Sequence, residues 1–130
     1  MKHSCSLAVR SYECDSYGHV NNAVYLHYLE CARHEYMKVL GLGLEALREA
    51  GYGVWVAEIS IRYLIPVHTD DVLEILTEPV KAGRISGILR QTIRCGGRTV
   101  AEAEVKWASV DAGGKPAPLP PAFDLSGLAP

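Results

Sequence analysis

The hydrophobic period of this chain changes sharply after its first twenty residues, and that change narrows the possible folds most. From about Asn21 to Leu40, Val24, Tyr28, Ala32, Tyr36 and Leu40 recur at every fourth position, and Tyr25, Leu29 and Val39 widen the stripe. Glu30, Arg33, His34 and Lys38 fall largely elsewhere. That pattern predicts an amphipathic helix of about five turns. Gly41 and Gly43 stop it, and LEALREAG, 44–51, reads as a second short helix ended by Gly51. Around this helical region the period is two. HSCSLAVRSY, 3–12, alternates in part and predicts a strand. In Val54 to Pro66, Val56, Glu58, Ser60 and Arg62 interleave with Trp55, Ala57, Ile59, Ile61 and Tyr63. Val72 to Val80, Ile85 to Cys95 and Thr99 to Val110 also read as strands. The turns between them are Asp70-Asp71, Ala82-Gly83-Arg84 and the hairpin signal Gly96-Gly97. One long helix and about five antiparallel strands make an α+β domain.

Residues 1–112 form that single domain, which is large enough at 130 residues in all to bury a core. Residues 113–130 form a tail rich in proline (Pro116, Pro118, Pro120, Pro121, Pro130), expected to be extended or disordered. One helix of this length is too small to cover so many apolar strands, so self-association is expected. The formal net charge is -2 and no long basic run occurs, which excludes nucleic acid or an anionic membrane as a main partner. No 18-residue apolar stretch suggests a membrane span, and MKHSCSLAVRSYECD has no signal-peptide core. Cys5, Cys14, Cys31 and Cys95 form no CxxC pair, so neither a zinc site nor a dithiol motif is indicated. These features imply a cytoplasmic protein with reduced thiols.

The chemistry-bearing residues gather just before the helix, in CDSYGHVNNAVY, Cys14 to Tyr25. Asp15 is the only acid between Cys14 and Leu29. It stands several residues ahead of the periodic region, where Asn21 or Asn22 is the better placed cap. Gly18 permits a tight turn or the close approach of a ligand. His19 suits hydrogen bonding, in a structural or a catalytic role. The N–H groups at the helix start, Asn22 foremost, are free to bind a carbonyl oxygen that is becoming negative. A carboxylate facing such a helix end suits thioester hydrolysis, with no metal. Cys14 and Cys31 are poor nucleophiles: the Asp15 charge would disfavour a Cys14 thiolate, and Cys31 lies mid-helix with no obvious base.

The run D-x-x-G-H-V-N-N-x-x-Y-L-x-Y-L-E-x-A-R, Asp15 to Arg33, resembles the signature of the hotdog-fold acyl-CoA thioesterases. The group it is most similar to is 4-hydroxybenzoyl-CoA thioesterase with its bacterial long- and short-chain acyl-CoA relatives. The similarity continues through ISIRYLIPVHTDDVLEI, 59–75, and GRISGILRQTI, 83–93. It implies a long central helix wrapped by a curved antiparallel sheet, in a dimer joined edge to edge or a dimer of dimers, with active sites at the interface. It implies Asp15 as the catalytic carboxylate, acting as nucleophile or general base, and Asn22 N–H as the oxyanion donor. Gly18 and His19 match the loop of the motif, and Tyr25 matches a tyrosine beside the acyl pocket. Lys81, Arg84 and Ser86, expected around the turn before the Ile85 strand, are candidates for the CoA phosphates. Arg90, Arg94 and Arg98 are weaker ones. No cofactor is implied, since CoA is part of the substrate. The alternatives are a non-catalytic acyl-CoA-binding module and a thioesterase for acyl groups on a carrier protein.

Overall fold

The computed structural model describes all 130 residues. The chain forms β1 (His3–Ala8), α1 (Asn22–Val39), α2 (Leu44–Ala50), β2 (Tyr52–Tyr63), β3 (Val72–Ala82), β4 (Ser86–Cys95) and β5 (Arg98–Asp111). Short 3-10 turns occur at Ser11–Glu13 and Ser126–Leu128. The five strands make one sheet in the order β1-β3-β4-β5-β2, and every pair is antiparallel. This is the α+β arrangement expected, with α1 seated against the inner face of the sheet.

The N-terminal strand is shorter than its sequence pattern. It ends at Ala8, because Ser11–Glu13 tightens into a 3-10 turn that leads to the Asp15 loop. β3 runs two residues past Val80, so Lys81 belongs to the strand and not to the turn. A register shift between Pro79 and Lys81 accommodates the proline, which lacks a ladder donor. A second shift, between Val56 and Glu58, bends β2 against β5. Gly96 and Gly97 both have positive φ, 58° and 80°, which a two-residue hairpin between Cys95 and Arg98 requires.

The core has two lobes along α1. Tyr25, Tyr28, Leu29 and Ala32 meet Leu73, Ile75, Ile93 and Ala101 around the first half of the helix. Tyr36 meets Leu42, Leu47, Leu89 and Trp107 around the second half. Burying one such side chain completely contributes about 1.5–3 kcal/mol. The C-terminal segment, residues 113–130, has no long strand or helix, yet it closes the second lobe. Leu119 and Leu128 are buried there, and Tyr36 Oη lies 2.6 Å from the Gly127 carbonyl oxygen. Its apolar residues, with backbone hydrogen bonds from Ala117 to Ser109 and from Asp111 to Lys115, hold this proline-rich stretch against the sheet.

Part of the apolar surface is left uncovered at an edge of the sheet. The outward face is polar, and Arg90 bridges Glu78 and Glu104 across three strands at 3.7 and 3.8 Å. Trp55, Val56, Tyr63 and Leu64, four of the exposed large apolar residues, lie along and beside β2, a free edge of the sheet. No helix is long and apolar enough to cross a membrane.

Candidate active site

The loop before α1 is a closed miniature turn. Cys14 and Val20 form an isolated antiparallel bridge, and Asp15 N–H donates to the His19 carbonyl at 2.7 Å. Gly18 N–H donates back to the Asp15 carbonyl at 3.0 Å. The Asp15 side chain closes the turn from inside. Its Oδ1 accepts from Tyr17 N–H at 2.9 Å and His19 N–H at 3.2 Å. Oδ2 makes no hydrogen bond within the chain, so one carboxylate oxygen is anchored and the other is free. Gly18 has φ +78°, and a Cβ there would meet nothing within 4 Å. Its requirement is therefore conformational and not one of space.

The loop is fastened at two points, one on the helix and one on the segment after β2. Tyr28 Oη donates to Glu13 Oε1 at 2.9 Å, and that same oxygen accepts from Arg10 N–H at 2.7 Å. Burial, followed by the Glu13 carboxylate, pushes the Tyr28 phenol above its ordinary range. Val20 N–H donates to Val67 O, which ties the loop to the segment after β2.

Asn21 is the helix cap. Its Oδ1 accepts from Ala23 N–H at 2.9 Å, and its carbonyl accepts from Val24 N–H. Asn22 is the first helical residue, and its N–H is one of the donors that a helix start leaves unpaired. Tyr63, at the end of β2, donates its hydroxyl to the Asn22 carbonyl at 2.9 Å.

Asp15, His19, Asn22 and Tyr25 line one cavity of about 270 Å³ together with Tyr63, Leu64, Ile65 and Pro66. Thus four of the residues read from the sequence meet, and Gly18 shapes the loop that carries two of them. Tyr25 is buried, with its ring edge-on to Tyr63 at 5.0 Å. Burial raises its phenol pKa, opposed by a backbone hydrogen bond from Val67. His19 lies edge-on to His68 at 5.1 Å.

Lys81, Arg84 and Ser86 do not join this cavity within the chain. Lys81 shares a cross-strand row with Ile88, Lys106 and Glu58, whereas Tyr63 lies in the row of Ala101, Ile93 and Ile75. Those rows are ~17 Å apart at the usual rise per strand residue. Lys81 and Arg84 are exposed, and Ser86 opens β4. Arg90 is held by its carboxylates, and Arg94 donates to the Gly97 carbonyl at 2.7 Å.

Tyr63, Pro66 and His68 are the site residues that sequence reasoning missed. They lie in the stretch 59–75, which carried part of the resemblance, but strand alternation there gave no hint of a hydroxyl reaching the helix start.

Comparison with known proteins identifies the family and the fold. Residues 9–125 match the family model of the thioesterase-like superfamily. The chain is 33% identical over 107 residues to the long-chain acyl-CoA thioesterase FadM of Escherichia coli, covering 81% of this chain and 80% of FadM. It is 34% identical over 85 residues to the chloroplastic acyl-acyl carrier protein thioesterase ATL3 of Arabidopsis thaliana, covering 65% of this chain. It spans only 42% of that plant protein. The crystal structure of a probable thioesterase from Bartonella henselae superposes with a TM-score of 0.86 at 26% identity, covering 92% of this chain and all of that one. On its match across residues 9–125 and its helix-wrapped antiparallel sheet, the chain belongs to the thioesterase-like superfamily and has the hotdog fold.

Proposed function

We propose that this chain hydrolyses acyl-CoA thioesters to a free carboxylic acid and CoA. The observation that carries the reading is the meeting, at one cavity, of an Asp15 carboxylate with one free oxygen and the unpaired N–H of Asn22. The thioester carbonyl accepts from Asn22 N–H, and the positive end of α1 stabilises the negative charge that develops on its oxygen. Asp15 Oδ2 acts on the carbonyl carbon by one of two routes. It attacks directly, forming a mixed anhydride that water opens, or it takes a proton from the attacking water. The CoA thiolate leaves in either case. His19 borders the thioester and Tyr25 the acyl group.

The residues proposed for the CoA phosphates are Lys81, Arg84 and Ser86. Because they stand far from Asp15 in their own chain, they serve a site whose Asp15 comes from another copy. A homodimer through the β2 edge, or a dimer of such dimers, supplies one. The likeness to ATL3, a thioesterase named for acyl groups on a carrier protein, favours a second reading in which the same chemistry acts on carrier-bound thioesters.

The test is thiol release from a panel of acyl-CoAs by the wild type and by Asp15→Asn. The variant is expected to lose about 10² or more in kcat. Hydrolysis surviving within about tenfold removes Asp15 from the chemistry. Tight binding of acyl-CoA with no turnover identifies a binding module instead. Rates on one acyl group carried by CoA and by a carrier protein separate the two substrates.

A further inference from the structure

A second cavity, of about 230 Å³, lies between the C-terminal half of α1, α2 and strands β2, β4 and β5. It shares no lining residue with the Asp15 cavity. Both nevertheless draw on α1 and β2, at opposite ends of the two elements. At one end Asn22 lies with Tyr63 and Leu64, and at the other Arg33 lies with Trp55 and Val56. Leu26, partly exposed, sits on the helix face between them, one turn after Asn22 and one turn before Glu30. Asn22 to Arg33 is ~16 Å along the helix.

The second cavity is apolar except for Glu30, Arg33 and His34. Arg33 Nη1 donates to Gln91 Oε1 at 2.9 Å, and the guanidinium makes no ion pair within the chain. Burial pulls it below its ordinary pKa, with Glu30 opposing. Glu30 is itself exposed and solvated. A guanidinium offers five donors, and Gln91 takes one of them. Trp107 lines the same cavity at 4% exposure, and its Nε1 is buried with no acceptor. Trp107 Nε1 is thus taken out of water with no partner, and the half-buried Arg33 guanidinium beside the same apolar space keeps donors to spare. A hydrogen-bond acceptor answers both, and an anionic one answers the guanidinium best.

We propose that the α1–β2 seam is one acyl channel and that Arg33 selects acyl chains bearing a carboxylate remote from the thioester. This rests on the thioesterase reading of Asp15.

The test compares dodecanoyl-CoA with its ω-carboxy counterpart, the mono-CoA thioester of dodecanedioic acid. For the wild type, kcat/KM is expected to favour the carboxylated thioester by about tenfold or more. In Arg33→Met that ratio should fall toward unity. Arg33→Lys, which keeps the charge but loses the fork, should fall between, and it replaces Arg33→Met if that variant does not fold. A wild-type ratio at or below unity, or a ratio unmoved in the variants, overturns the proposal. Calorimetry with the free acids separates the two failures. Arg33-dependent binding of dodecanedioate over dodecanoate without any thioester hydrolysis upholds the subsite and sinks the thioesterase reading. Equal hydrolysis of both thioesters does the reverse.

Discussion

The hydroxyl of Tyr63 donates to the carbonyl oxygen of Asn22 at 2.9 Å, joining the last residue of β2 to the first residue of α1. That bond fixes the peptide group next to the one proposed to hold the oxyanion. Tyr63→Phe removes the bond and keeps the ring beside Tyr25. It is expected to cost about 1 kcal/mol of stability. If Tyr63 positions the helix start for the transition state, kcat falls severalfold while KM stays nearly constant. Steady-state kinetics beside urea unfolding checks this, and an unchanged kcat assigns Tyr63 to packing alone.

Gly18 holds the left-handed conformation that closes the Asp15 turn. Gly18→Ala places a Cβ in open space, so its cost is conformational, about 1–2 kcal/mol. The larger effect is expected on activity. A displacement of Asp15 by about an ångström lowers kcat by about 10². Thermal unfolding and turnover measured on one preparation separate the two losses.

Gln91 is the polar centre of the core. Its Nε2 donates to the Leu29 carbonyl and to Thr77 Oγ1, each at 3.0 Å, and its Oε1 accepts from Arg33. Gln91→Leu leaves the Arg33 guanidinium without its one acceptor in the chain. A loss of about 3 kcal/mol is expected, read as a lower urea midpoint at unchanged slope.

Alkaline pH should weaken the fold through two acids, the buried Tyr36 phenol and the half-buried Cys5 thiol. Burial, followed by Glu35, pushes the Cys5 thiol up from 9.0 to about 11, and burial pushes the Tyr36 phenol up from 10.0 to about 12. The unfolded chain releases these protons first, so between those values the folded state binds more of them. Stability is then fully present below about pH 9 and falls as pH rises toward 12. Urea midpoints across this window should decline, and the decline should be shallower in Cys5→Ala and Tyr36→Phe. A flat profile in the wild type contradicts the assignment.

Much of the architecture was legible in the chain because it depends on near neighbours. The fourfold stripe of α1, the alternation of β2 to β5 and the Gly96-Gly97 hairpin each follow from side-chain period or backbone freedom over a few residues. The Asp15-to-Asn22 constellation was legible for the same reason, since a single turn and helix start hold it. The packing of the C-terminal tail was not. Its prolines dominate a compositional reading, while Leu119 and Leu128 are ordered by contacts with α1 and the sheet. Lys81 was misplaced because strand ends depend on pairing partners, and β4 continues to pair with β3 as far as Ala82.

The sequence alone determined the elements, their order and the loop that presents a carboxylate to a helix end. Only the tertiary structure decided that Tyr63 braces that end, that Lys81 and Arg84 stand far from it, and that Arg33 shares a cavity with Trp107. The reason is the range of the forces. Period and turn chemistry act within a few bonds, but these meetings depend on sheet register and on the seating of α1, which bring together residues up to 74 positions apart (Arg33 and Trp107).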